Sequence, residues 1–251
     1  MRIEHMTWPQ AKRYFETSDT VVISVGSIEN HGTHGALGTD YLVPDRLIDM
    51  ICKDLDVLCT PVMPFGQADH HMGYPGTISL GHDGLYTVMK AVAESMYAHG
   101  ARKIIFLNGH GGNTPVLARV GADMRKLGCI CAELDWWLIA HKLNNNWLGG
   151  HGGAQETSAV MAINPDYVDL DAILDTNLTP LSDTLPSDGI GTVLFKGVSV
   201  PVQRGMHEVS SSGWSGPDHP KNASIKWGNE MLTGVSEFII DFITEFKKVV
   251  I

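Results

Sequence analysis

TVVISVGSIENHGTHGALGTD, residues 20–40, opens with six residues that are mostly β-branched and apolar, then breaks at Gly26 into a segment carrying Glu29, His31, His34 and Asp40. An unbroken apolar run of this length reads as a strand covered on both faces, as in parallel sheets. The same order, apolar strand then glycine-rich turn, returns at KIIFLNGHGGN, residues 103–113.

Around these two stretches the chain alternates strands with helices. Leu42, Leu47, Ile48 and Ile51 recur at helical spacing between Tyr41 and Leu55, with Pro44 placed early. VLCTPVMP, residues 57–64, reads as a second strand stopped by Pro64. From Asp83 to His99 an amphipathic face (Leu85, Val88, Met89, Val92, Ala93, Met96) marks the clearest helix, capped by Gly100. A helix over 114–127, a strand at CICAEL (129–134) and a long closing helix with Met231, Val235, Phe238, Ile239, Phe242 and Phe246 on one face complete the pattern. Such alternation predicts a three-layer α/β/α fold with a mainly parallel central sheet, one domain over residues 1–251. Ligands of these sheets bind beyond the carboxyl ends of the strands.

The totals narrow the function. With 251 residues and 43% hydrophobic content the chain can bury a substantial core. A formal charge of −10 without any Lys/Arg stripe argues against a nucleic-acid partner. MRIEHMTWPQAKRYF carries charges where a secretory signal needs an apolar centre, and no stretch approaches the roughly 18 apolar residues of a membrane span. The expectation is a soluble, cytoplasmic protein that acts on a small molecule. Cys52, Cys59, Cys129 and Cys131 form no CxxC pair and read as core thiols.

Three segments carry the chemistry. In the first, Glu29, His31, His34 and Asp40 offer carboxylate oxygen and imidazole nitrogen, the donors that hold hard or borderline divalent cations; singly, each also reads as part of a polar surface loop. The second is NGHGGN, residues 108–113, whose glycines allow a tight strand-to-helix junction that presents His110. An anion cradle is the rival reading there, although the Lys and Ser/Thr of a P-loop are missing. In the third, HGGAQETS (151–158), His151 and Glu156 flank a loop-to-helix break, and a glutamate in a first helical turn also complements the helix dipole.

In this order the three segments resemble the creatininase (creatinine amidohydrolase) family, which includes formamide-cleaving deformylases. GSIENHGTHGALGTD is similar to its G-S-x-E-Q-H-G-x-H-L-P-x-x-T-D segment, NGHGGN to N-G-H-x-x-N, and HGGAQETS to H-A-G-x-x-E-T-S. PGTISL (75–80) and SSSGWSGP, with the helix after it, also resemble family features. The resemblance implies a creatininase-like α/β/α fold and a two-metal site with ligands Glu29, His31, Asp40, His110 and Glu156, Asp40 bridging. It further implies His151 as proton shuttle, His34 as a neighbour of the site rather than a ligand, and a homohexamer. Creatininase itself has a glutamate ligand where this chain has Gly112, which points to Glu156 for the second ion and away from creatinine as the substrate. Trp136 or Trp137 would match a tryptophan that shields the pocket. Substrate contacts are expected from Trp136 and from His70, in the loop GQADHHMGYPGT, with the segment from Gln203 to Pro217 as a mobile lid.

Two divalent ions, zinc expected and manganese or iron the alternatives, would supply a hydroxide nucleophile and a polarised carbonyl together. The expected reaction is hydrolysis of a cyclic amide or a formamide, with His151 carrying a proton to the leaving nitrogen. Ring opening of a cyclic diketone such as a keto-inositol is the second enzymatic reading; a non-catalytic metal-binding subunit is the reading from another class.

Overall fold

The computed structural model describes residues 1–251. Its elements are α1 (Trp8–Phe15), β1 (Thr20–Val25), α2 (Thr39–Asp54), β2 (Leu58–Cys59), α3 (Gly81–His99), β3 (Lys103–Asn108), α4 (Thr114–Lys126), β4 (Ile130–Asp135), α5 (Trp136–Leu143), α6 (Ala154–Ile163), β5 (Ser187–Gly189), β6 (Thr192–Phe195), β7 (Val198–Pro201), α7 (Met206–Val209) and α8 (Ile225–Lys247).

The central sheet runs in the order β2-β1-β3-β4 with every pairing parallel. All six residues of β1 and of β3 are buried, because helices cover both faces. The period-2 alternation of a strand divides their side chains between two cores. Val22, Ile105 and Leu107 pack with Leu47, Ile51, Val160, Val235 and Ile239 from α2, α6 and α8. Val21, Ile23, Val25, Ile104 and Phe106 pack on the opposite face with Leu85, Met89, Leu117 and Val120 from α3 and α4. This is the expected three-layer α/β/α architecture. No helix is long and apolar enough to cross a membrane.

Several local expectations are corrected. The second strand shrinks to Leu58–Cys59; Thr60 N–H donates to the Val22 carbonyl, but the next donor to β1 is Met63, to Ser24, so an extra residue breaks the register and pairing resumes only as an isolated bridge at Met63. In α8 the buried stripe is Met231, Leu232, Val235, Ile239 and Ile243, while Phe238 is 39% exposed. The sequence reading gave no structure between residues 164 and 224, where a second, antiparallel sheet forms in the order β5-β6-β7.

Helix α2 begins at Thr39, earlier than expected, so Asp40 lies in its first turn and Pro44 inside the helix. Pro44 cannot donate to the carbonyl of Asp40. Gly26 and Gly109, which end β1 and β3, close on that carbonyl instead, and a Cβ at either position would overlap the oxygen. The two strand ends thereby meet at the start of α2.

Candidate metal centre

Glu29, His31 and Asp40 come from the β1–α2 segment, His110 from the turn after β3, and His151 and Glu156 from the loop and first turn of α6. Glu29, His31 and Asp40 are 0%, 1% and 2% exposed. Their ligand atoms gather in three groups, within each of which all atoms lie within 4.8 Å of one another: Glu29, Asp40 and His110; His31, Asp40 and Glu156; Glu29, His31 and His151. Asp40 belongs to the first two. Its Oδ2 is 3.1 Å from His110 Nδ1 and its Oδ1 is 3.1 Å from His31 Nε2, which is itself 3.6 Å from Glu156 Oε2. One carboxylate thus spans two neighbouring three-donor sets.

Backbone carbonyls fix the imidazoles. His31 Nδ1 lies 3.1 Å from the carbonyl of Glu29, and His110 Nε2 lies 2.8 Å from that of Gln67. A carbonyl only accepts, so these nitrogens carry hydrogens, and the opposite nitrogen of each ring, which faces the carboxylates, is the one that can give up its proton and offer a lone pair to a cation. Imidazoles oriented from behind in this way are what a metal site needs. Glu29 Oε2 accepts from Ser27 Oγ at 2.7 Å, while Oε1 is buried without a hydrogen bond. An orphaned carboxylate oxygen, two buried carboxylates beside the partly exposed Glu156, and two imidazoles whose inward nitrogens can give up a proton suit a pair of divalent cations.

The electrostatics agree. Burial opposes charge on His31, but Asp40 and Glu156 outweigh it and push its pKa up to about 10. Burial, with Asp40 nearby, lifts Glu156 to about 7. Burial raises Asp40, yet His31 and His110 more than offset this and hold it below the usual carboxylate range. So much negative charge in so little volume calls for cations. Burial and the neighbouring His31 push His151 well below its ordinary value, leaving it a neutral base. Its Nδ1 lies 3.8 Å from Glu29 Oε1 and its Nε2 is buried without a partner.

Asparagines tie the loops together. Asn108 Oδ1 accepts from the His110 backbone N–H at 3.1 Å, and Asn113 donates to the carbonyl of Gly26 at 3.0 Å while accepting from the Gln67 N–H at 2.9 Å. Gln67 approaches so closely that a Cβ on Gly112 would overlap its carbonyl. A carboxylate side chain has no room there, and Glu156 faces His31 from α6. His34 sits behind the cluster, its Nε2 3.1 Å from the carbonyl of Gly152 and 3.2 Å from Thr157 Oγ1. There it braces the loop that presents His151.

A cavity of about 530 Å³ opens over Asp40, His110, His151 and Glu156, with Trp137 and Leu138 on its wall. His70 lines both this cavity and an adjoining one of about 730 Å³. Trp136 does not reach it: the side chain is wholly buried in the core between sheet and helices. Trp136 is therefore not placed for the substrate contact expected of it, and Trp137 lines the cavity instead, since consecutive residues of a helix point about 100° apart. The structure also brings in His71, 1% exposed, with Nε2 3.3 Å from Glu29 Oε1. The sequence offered only the His70-His71 pair as a hint of it.

Comparison with known proteins places the chain. The family model described as creatinine amidohydrolase matches residues 4–243. A mycofactocin precursor peptide peptidase of Mycolicibacterium smegmatis is 30% identical over 194 residues, covering 71% of this chain and 72% of its own. The creatinine amidohydrolase of Pseudomonas putida is 26% identical over 196 residues, covering 69% and 75%. A 3-dehydro-scyllo-inosose hydrolase of Thermotoga maritima is 28% identical over 184 residues, covering 68% and 58%. Among solved structures, a mutant creatininase of Zn-Zn type superposes with TM-score 0.76 at 24% identity, over 99% of this chain and 98% of that one. A creatininase in its Mn form does so with the same score and identity, over 99% of each chain. The chain belongs to the creatininase (creatinine amidohydrolase) family, whose members are metal-dependent amidohydrolases.

Proposed function

We propose that the protein is a dinuclear-metal-dependent hydrolase that cleaves the C–N bond of a small non-peptide amide, a cyclic amide or a formamide. The observation that carries this reading is the sharing of Asp40 between two three-donor groups, beside a neutral histidine on the floor of a cavity. Glu29, Asp40 and His110 would hold one ion, and His31, Asp40 and Glu156 the other; zinc suits the mixed oxygen and nitrogen donors, as do manganese and iron. Bound there, divalent cations lower the pKa of a water and polarise a carbonyl.

The chain's own residues then have separate tasks. The glycine turns and Asn113 hold the donors in place before substrate arrives. His151 can accept a proton on its unpartnered Nε2 and pass it to the leaving nitrogen. Trp137 and Leu138 cover one side of the cavity and exclude water, while His70 stands at the boundary with the outer cavity, where it can meet the distal part of a substrate.

Chelation should abolish turnover of a panel of cyclic amides and formamides, and zinc, manganese or iron(II) should restore it; undiminished turnover by the stripped protein would refute the assignment. A His151→Ala variant should keep its metal and lose on the order of 10²–10⁴-fold in kcat, the usual worth of a general acid–base group. A second reading, cleavage of a peptide amide, draws on the adjoining 730 Å³ cavity and on the peptidase relative. A keto-inositol belongs in the panel as well, given the inosose hydrolase among the relatives. The family resemblance also implies homo-oligomers, a hexamer, which light scattering would test.

A further inference from the structure

His71 is a third imidazole buried against the carboxylates, and its distance from Glu29 would let it pass for a ligand. Its hydrogen bonds say otherwise. Asn30 Nδ2 lies 2.8 Å from His71 Nδ1, and Asn30 Oδ1 accepts from the backbone N–H of Gly32 at 3.2 Å. The Gly32 contact fixes which end of the amide is which, because an N–H must face an oxygen. The amide nitrogen therefore donates to His71 Nδ1, which must be the bare nitrogen of the ring. In the neutral ring the hydrogen then sits on Nε2, 3.3 Å from Glu29 Oε1. This pattern is the reverse of the one at His31 and His110, where a carbonyl holds the hydrogen of the outer nitrogen and leaves the nitrogen facing the carboxylates free to lose its proton to a cation.

We infer that His71 is not a metal ligand but a positioning residue: Asn30 locks it in the tautomer that turns an N–H toward Glu29 Oε1, 3.3 Å away and short of an aligned hydrogen bond, and this N–H steers the Glu29 carboxylate for the cation by charge–dipole attraction. The inference rests on the metal-site reading above. Both residues are buried, Asn30 4% and His71 1% exposed, so water does not offer an alternative partner to either. Asn30 stands where the family segment quoted above has glutamine. Loss of a partner of this kind ordinarily weakens metal binding by about 10–100-fold without removing a coordination bond.

Long-range ¹⁵N–¹H correlation spectra of [¹⁵N]histidine-labelled protein test the tautomer on the unaltered chain, with His71→Gln identifying the resonance. A protonated Nε2 with a bare Nδ1, with or without zinc, is expected; a protonated Nδ1, a zinc-shifted Nε2 or a doubly protonated ring overturns the inference. Zinc titration by chelator competition tests the consequence. His71→Leu should raise the zinc Kd about 10–100-fold at unchanged stoichiometry, His71→Gln, which keeps an N–H, should recover most of it, and Asn30→Leu should weaken binding in the native background but not in His71→Leu. Equal zinc Kd for His71→Leu and the native chain, or independent losses in the double variant, would likewise overturn it. Failure of the native chain to bind zinc would instead remove the metal-site reading, and the spectra would still decide the tautomer.

Discussion

Glu133, on β4, shows what a carboxylate costs where no cation is in reach. Burial, then the neighbouring Asp135, pushes its pKa up to about 7, and its Oε1 is buried without a hydrogen bond. An unfolded glutamate titrates near about 4.3. The folded state thus binds this proton more tightly, so the contribution to stability is full below pH 4.3 and is lost as pH rises toward 7. A Glu133→Gln variant should melt above the native chain at pH 8 and close to it at pH 5, which thermal denaturation at the two values checks. The ligand candidates were legible because Glu29, His31, Asp40, His110 and Glu156 each stand in a glycine-rich break after a strand or before a helix. His71 was not, because its burial is created by Asn30 and Glu29 from a different loop, and nothing local distinguishes it from its half-exposed neighbour His70. Trp136 and Trp137 failed for a related reason: adjacent tryptophans share a composition but not a direction.

At the scale of elements, the site depends on how closely α6 and α8 approach. A Cβ on Gly228 of α8 would overlap the carbonyl of Ser158 in α6, so backbone meets backbone at that crossing. Gly228→Ala should force the helices apart at a cost of about 1–3 kcal/mol. Because the first turn of α6 carries Glu156, the same change should weaken zinc binding; urea denaturation and a zinc titration read the two effects, and a fully stable variant would show that the contact yields easily. The parallel strands were legible from apolar runs that no other element explains. The hairpin of β6 and β7 was missed although its signal was present: TVLFKGVSVP places two strand-forming runs around Lys196-Gly197, both of which take positive φ, at 49° and 80°. Such pairs make the tight turn that matches the twist of a hairpin, but asparagine or aspartate usually stands where this chain has lysine. The short β2 was over-read because the sequence pattern registers apolar residues and not the extra residue that shifts the donor from Val62 to Met63 and breaks the register.

Across the whole molecule, the cluster joins segments that the chain separates by more than a hundred residues. Glu29 and Asp40 follow β1, His110 follows β3 and Glu156 opens α6, so the donors tie both central strands to the helical layer formed by α2, α6 and α8. Without cations, three carboxylates within a few ångströms repel one another and are relieved only by protons on their imidazole and carboxyl neighbours. A cation that binds only the folded chain stabilises all of these elements at once. At a free concentration one-hundredfold above Kd the gain is about 2.7 kcal/mol per site. For a chain of this size that corresponds to a rise in Tm of roughly 5–10 °C. Scanning calorimetry with and without zinc should show that rise in the native protein. Asp40→Ala removes the one donor that both groups share, so its melting temperature should hardly respond to zinc, whereas Glu156→Ala, which disables one group only, should keep part of the response. Identical zinc responses in Asp40→Ala and the native protein would mean that the ions are held elsewhere and that Asp40 does not bridge them.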